Sequence, residues 1–464
     1  MKKTITVIGW SLVLLAIFSC PAKAGEKQLP PEGGTPKDIT LPAKEDFQLP
    51  NGLRATLVSY GQIPKVTVRL AVRSGNLNEA SNEIWLAAVT GQLMKEGTTN
   101  RTSAEINDAA ARMGGEVFFG VDSDQTFISG DVLSEFSPDF IRLVADIAQN
   151  PLFPEAELAR LKKDFLRRLS IQSTQPQTLA SAKFRKAIYG NHPYGRVLST
   201  PDMIQGFSLE KVRAFYEANF GAALSHIFVV GQFDAQAVKE AIQSAFRGWK
   251  RGPDPLVLPS KTETRRSLYI VDRPGSQQST IFIGLPVPDP SHKDSLALGA
   301  MNAILGGGGF LSRITANIRE KKGYTYSPYS ALISQYRDAY WFQFASVGNA
   351  VTAPALKEIL FEIDRLRAEA PPEKELKDIQ NFLIGNFVRT NSTRQGIIFM
   401  LSFQNLHGLP DFLTTYVKKI RALTPKDVQR VAQDYLRPEK LVIVVVGDKK
   451  QIADSMKEYG PLVD

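Results

Sequence analysis

The sequence predicts an α+β chain of two homologous lobes, each an antiparallel-dominated sheet packed with helices, facing each other across a cleft. Three observations carry this. The chain has 464 residues, too many for one ordinary core. Short β-branched runs bounded by turn residues alternate with long stretches of helical apolar spacing. The chain also repeats itself. Ser208 to Gly231 and Thr424 to Gly447 each place a capping hydroxyl, a helix and a β-branched strand over 23 residues, at an offset of 216. Pro154-Glu155-Ala156-Glu157-Leu158 matches Pro372-Glu373-Lys374-Glu375-Leu376 at an offset of 218. Leu86 to Leu93 matches Leu298 to Leu305 at an offset of 212.

The elements follow in order. Residues 1–24 read as a signal peptide: Lys2 and Lys3 precede an apolar stretch from Ile5 to Phe18, and Ala22-Lys23-Ala24 offers a cleavage site. Ile17-Phe18-Ser19-Cys20 also resembles a lipobox, with bulky Phe18 its poorest match, so Cys20 is the alternative lipid anchor. Residues 25–45, rich in Pro, Gly and Lys, read as a flexible tether. The first lobe spans 46–249. Within it Asn51-Gly52 marks a tight turn, Arg54 to Val58 and Val66 to Val72 are strands, and Ile84 to Met94 is a helix. Helices follow near 134–149 and 154–172, separated by the Asn150-Pro151 breaker. The linker is 250–264, with Pro253, Pro255 and Pro259, and the second lobe is 265–464.

Composition narrows the function classes. Hydrophobic residues make up 43% and charged residues 22%, which excludes a disordered chain. The net charge of +9 falls to +6 without the three leader lysines, and no Lys/Arg stripe concentrates it, so nucleic acid is not an expected partner. Cys20 is the sole cysteine, so no disulfide forms within the chain. No Gly-x-Ser-x-Gly elbow is present. The four histidines are His192, His226, His292 and His407, too far apart for a helical metal pair. A cleft between two lobes suits a peptide.

Several segments carry a resemblance. They are Leu49-Pro50-Asn51-Gly52-Leu53, Leu93-Met94-Lys95-Glu96-Gly97-Thr98 and Asn191-His192-Pro193-Tyr194-Gly195-Arg196 in the first half. In the second half they are Leu305 to Arg313, with its four glycines, and Ile318-Arg319-Glu320-Lys321-Lys322-Gly323-Tyr324-Thr325-Tyr326-Ser327. Their order resembles the insulinase/pitrilysin family of zinc peptidases, which includes the mitochondrial processing peptidase subunits. Active members carry His-x-x-Glu-His, two zinc-facing imidazoles and a water-activating carboxylate on one helix. Counted back from Gly97-Thr98, the matching positions here are Ala88, Gly91 and Gln92, and the third ligand falls at Arg168. The resemblance therefore implies a lost zinc site, with no metal and no cofactor on this chain.

The other half of the site is retained. The resemblance assigns Arg319 and Tyr326 to holding the substrate carbonyl, with Tyr324 as the alternative phenol on the same strand face. Gly323 is expected to end the helix between them. The glycines Gly306, Gly307, Gly308 and Gly309 either admit a peptide backbone or simply close a helix. The resemblance implies a non-catalytic, substrate-binding subunit of an exported heterodimeric metallopeptidase, periplasmic or membrane-anchored. Its partner would be a related chain that keeps the zinc motif. The alternatives are a peptide-binding or scaffolding pseudo-peptidase without a protease partner, and a peptidase with an unrecognised site.

Overall fold

The computed structural model describes residues 43–260 and 262–463, so the leader and all but the end of the tether lie outside it. Eleven named strands of the described residues form two sheets. The first contains β1 (Lys44–Gln48), β2 (Arg54–Ser59), β3 (Lys65–Val72), β4 (Phe118–Val121), β5 (Thr126–Leu133) and β6 (Ser225–Gly231). Its order is β1-β2-β6-β3-β5-β4. The second contains β7 (Ser267–Asp272), β8 (Gln278–Pro286), β9 (Tyr329–Gln335), β10 (Asp338–Gly348) and β11 (Val442–Gly447), in the order β7-β11-β8-β10-β9. Apart from β1, the second sheet follows the first strand for strand. Each is antiparallel with one parallel pair, β2 with β6 and β7 with β11.

β1 begins earlier than expected, at Lys44 inside the region read as tether. Lys44 to Gln48 pairs residue for residue with Val58 back to Arg54, around a turn in which Gly52 takes φ +96°. The expected helices form as Leu86–Lys95, Ser137–Gln149, Glu155–Gln172, Leu209–Asn219 and Pro425–Tyr435. Ser208 caps its helix by accepting the Lys211 N–H at 3.3 Å, and Thr424 caps its own reciprocally with Asp427.

Alternation along the strands explains the layers. On β3, Val66, Val68, Leu70 and Val72 join the core formed with the first lobe's own helices. On β8 and β11, Ile281, Ile283, Ile443 and Val445 do the same in the second lobe. The opposite faces are covered by exchange. The Pro176–Tyr189 helix lays Ala180, Phe184 and Ile188 on Phe282, Val442, Val444 and Val446 of the second sheet. The Arg394–His407 helix lays Ile397, Ile398 and Leu401 on Val58, Ala71, Phe228 and Val230 of the first. The two helices start 218 residues apart. β6 and β11 are buried at every position because each is packed on both faces.

Because each half completes the other, the chain should unfold as one unit. Phe184 is fully buried at this junction, so Phe184→Ala should cost about 3–5 kcal/mol. Denaturant unfolding followed by fluorescence and circular dichroism checks it; the two probes should remain coincident. A loss below about 1 kcal/mol, or two separated transitions, would contradict the exchange as a major source of stability.

Candidate functional site

The first-lobe positions lie on two packed helices. Trp85 precedes the Leu86–Lys95 helix in a left-handed conformation, φ +81°, held by an indole N–H bond to the Val197 carbonyl at 3.0 Å. Its ring meets Phe165 of the Glu155–Gln172 helix, 6.0 Å between centres. Glu79 accepts the Ala87 N–H at 2.9 Å and so satisfies one free donor of the helix start. Burial pushes its carboxyl up to about 7.

On this helix Ala88 and Gln92 are half-buried and Gly91 is buried. A Cβ on Gly91 would stand 2.9 Å from Val121 Cγ2 on edge strand β4. The position that the resemblance equates with the general base is thus filled by packing. Arg168 is exposed, its guanidinium 5.8 Å from the Phe165 ring centre. A methyl group, a hydrogen, a neutral amide and a cation do not fit a zinc ion, which takes thiolate, imidazole or carboxylate donors. Among the described residues no three His, Cys, Asp or Glu side chains are grouped to hold a metal. His192 contacts the Leu258 carbonyl at 3.1 Å, and His226 sits beside the Thr56 hydroxyl at 2.8 Å.

The second lobe does bring its pair together. Arg319 belongs to the π-helical segment Thr315–Lys321, anchored by buried Ile318 and by Asn317, which donates to Glu358 at 3.0 Å and Glu362 at 2.8 Å. Gly323, at φ +64°, turns the chain out of it and donates to the Arg319 carbonyl at 3.0 Å. The expected strand does not follow. Residues 324–328 are irregular, pinned by the Thr325 hydroxyl on the Ser346 carbonyl at 2.7 Å, and β9 starts only at Tyr329. Tyr324 and Tyr326 therefore do not share a strand face. Tyr324 packs against the second-lobe core, whereas Tyr326 is 81% exposed.

The Arg319 guanidinium lies 4.8 Å from the Tyr326 ring centre and 4.5 Å from that of Phe310. Two aromatic faces thus hold one cation, at about 0.5–1 kcal/mol each for exposed rings. Arg319 Nε also lies 3.1 Å from the Glu320 carboxylate. The Tyr326 hydroxyl has no hydrogen-bond partner among the described residues. A guanidinium and a free phenol on one surface are donors suited to a carbonyl oxygen.

Three of the four glycines serve packing. Gly306 and Gly308 are buried, and a Cβ on Gly306 would meet Gln343 Oε1 at 2.4 Å. A Cβ on Gly307 would meet Asn302 at 2.3 Å. Only Gly309, exposed at φ +60°, has open space around it. The sequence reading missed Phe310 and Leu311, which are 67% and 50% exposed. Two large apolar residues straight after a glycine run were the available signal.

The filled base position sharpens one expectation. Neither the chain nor its Ala88→His, Gly91→Glu, Gln92→His variant should retain zinc through dialysis or cleave peptides alone. The new Glu side chain must displace Val121, and Arg168 keeps a cation where an anionic ligand belongs. Metal analysis and a chelator-controlled peptide assay check this. About one tightly held zinc per chain, or chelator-sensitive cleavage, would show that the ligand positions are misplaced.

Comparison with known proteins bears on the family and the fold. Residues 55–202 match the model described as insulinase (peptidase family M16), and residues 206–383 match that of the peptidase M16 inactive domain. An uncharacterised zinc protease of Rickettsia felis is 26% identical over 339 residues, 72% of this chain and 81% of that protein. The non-peptidase homolog YmxG of Helicobacter pylori is 20% identical over 398 residues, 84% of this chain and 90% of that protein. The crystal structure of a peptidase M16 inactive domain from Pseudomonas fluorescens superposes with a TM-score of 0.82 at 24% identity, covering 87% of this chain and 98% of that one. With both domain models matched in succession, the chain belongs to the insulinase family, peptidase family M16.

Proposed function

We propose that this chain is the non-catalytic, substrate-holding subunit of an exported heterodimeric metallopeptidase. In this reading it offers Arg319 and Tyr326 to a related chain that carries zinc. The observation behind the proposal is the asymmetry between the two halves of the site. The metal positions hold no suitable donor and Gly91 is closed by Val121. The Arg319–Tyr326 pair is assembled, solvent-facing and flanked by exposed Phe310 and Leu311. The partner's zinc would polarise the scissile carbonyl. The Arg319 N–H groups and the Tyr326 O–H would donate to its oxygen as negative charge develops there. Phe310 stacks on the guanidinium and limits the positions it can take. Export rests on the leader at residues 1–24, with Cys20 as the site of lipidation if the lipobox is used.

A second reading, a peptide-binding scaffold without a protease partner, draws on the same exposed apolar pair. Phe310 and Leu311 would suit a permanent protein interface as well as a substrate. The test uses the reconstituted pair. Arg319→Ala or Tyr326→Phe should lower turnover about tenfold or more while assembly, followed by size-exclusion chromatography, is unchanged. Tyr324→Phe should do much less, since that ring packs against the core. Normal turnover in both variants, with normal assembly, would favour the scaffold.

A further inference from the structure

A cavity lies where the halves exchange helices, away from the Arg319–Tyr326 surface. Its volume is about 690 Å³, within the range of small-ligand sites. One wall comes from β3, the β4–β5 turn and Arg185 of the first lobe, the other from β9 and the helices that follow residue 373; Arg185 donates its Nε–H to the Tyr194 carbonyl at 2.7 Å. Phe387, Phe403 and Tyr416 give that second wall an aromatic surface.

The polar end holds charges that do not meet. Arg69 makes no hydrogen bond and no ion pair among the described residues; its guanidinium rests on the Phe127 ring at 3.8 Å, and its Nε is buried without a partner. Asp122 uses one carboxylate oxygen to accept the Asp124 and Gln125 N–H groups, both at 2.7 Å. Its other oxygen accepts nothing from the described residues. Asp122 is solvent-exposed at the cavity rim; desolvation by the surrounding protein raises its carboxyl above the ordinary range, against the Asp124 and Gln125 N–H groups and the nearby Arg69, which lower it. A carboxylate and a guanidinium therefore line one cavity, each with capacity left over.

Three deeply buried amide or imidazole groups line the same space. Gln125, Asn391 and His407 are 4%, 2% and 4% exposed. Gln125 Nε2, Asn391 Oδ1 and His407 Nδ1 have no hydrogen-bond partner among the described residues. One donor, one acceptor and one imidazole nitrogen left unpaired in a protein interior call for an occupant that pairs them. Burial pushes His407 down to about 4, so its ring is neutral near pH 7 and either donates or accepts at that nitrogen.

We propose that this inter-lobe cavity binds a short free peptide or amino acid as its zwitterion, carboxylate to Arg69, ammonium to Asp122 and apolar side chain on the aromatic wall. The peptide unit of a dipeptide supplies the carbonyl and N–H that Gln125 Nε2 and Asn391 Oδ1 lack. An ammonium beside Asp122 would also favour the charged form of its carboxylate. The site draws on both halves, so an occupant would hold them together. The inference stands apart from the proposed subunit role, because none of its residues belongs to the Arg319–Tyr326 surface.

Calorimetry on the full chain tests it with leucyl-phenylalanine, free phenylalanine, N-acetyl-leucyl-phenylalanine and leucyl-phenylalanine amide. The free dipeptide should bind, and each blocked form should bind about tenfold more weakly or worse, having lost one charge-assisted contact. Free phenylalanine binding as tightly as the dipeptide would assign the site to an amino acid. Asp122→Asn keeps the turn acceptor and should remove the preference for a free amine alone. Arg69→Gln should remove the preference for a free carboxylate alone. The blocked ligands keep the test decisive on the wild-type chain should a variant fail to fold. No heat from the dipeptide at millimolar concentration, or equal binding of all forms, would overturn the proposal and leave the cavity to water.

Discussion

The reciprocal exchange of helices between the two halves is the constraint on which the rest depends. Each sheet has two apolar faces, and each lobe covers only one of its own. The Phe184 stripe of the first half and the Ile397–Leu401 stripe of the second supply the missing covers. Burying a large apolar side chain is worth about 1.5–3 kcal/mol, so a few such residues on each helix fix the lobes relative to each other. The exchange also makes the junction polar where the covers end. Asp124 accepts the Tyr194 hydroxyl at 2.6 Å from its own half and the Tyr336 N–H at 3.2 Å from the other. The inter-lobe cavity opens beside these bonds.

This rigidity bears on function. The Leu86–Lys95 helix, which the resemblance equates with the metal-binding helix, is well packed, and its Ala88, Gly91 and Gln92 offer no zinc donor. Gly91 lets β4 press Val121 against the helix, an arrangement a glutamate side chain would disturb. The second-lobe loop, by contrast, spends exposed aromatic surface on keeping one guanidinium in place. Phe310 and Tyr326 leave most of their ring surface in solvent, which is why the pair reads as a contact surface.

Much of the fold was legible because caps and periodicity are local. Ser208, Thr424 and the β-branched runs after them mark the same helix-strand unit twice, and the structure builds both. The helix exchange was not legible: the Ala180, Phe184 and Ile188 spacing announces a buried face without saying which sheet it meets. The site was partly legible. The family resemblance singled out Arg319 and Tyr326, but alternation suggested a strand where Gly323, Thr325 and Pro328 make a loop, so Tyr324 was placed wrongly on one strand face with Tyr326. The glycine run hid its reason, since the side chains that crowd Gly306 come from β9 and β10, distant in sequence. The Arg69–Asp122 separation was invisible for the same cause.

The central claim is that this chain works only beside a zinc-bearing relative. Affinity capture of the full-length chain from its native host, with mass spectrometry of what co-purifies, tests that most directly. The account predicts a second M16 chain with an intact His-x-x-Glu-His motif, in equal amount and carrying zinc. Recovery of this chain alone, or with partners that all lack that motif, would contradict it.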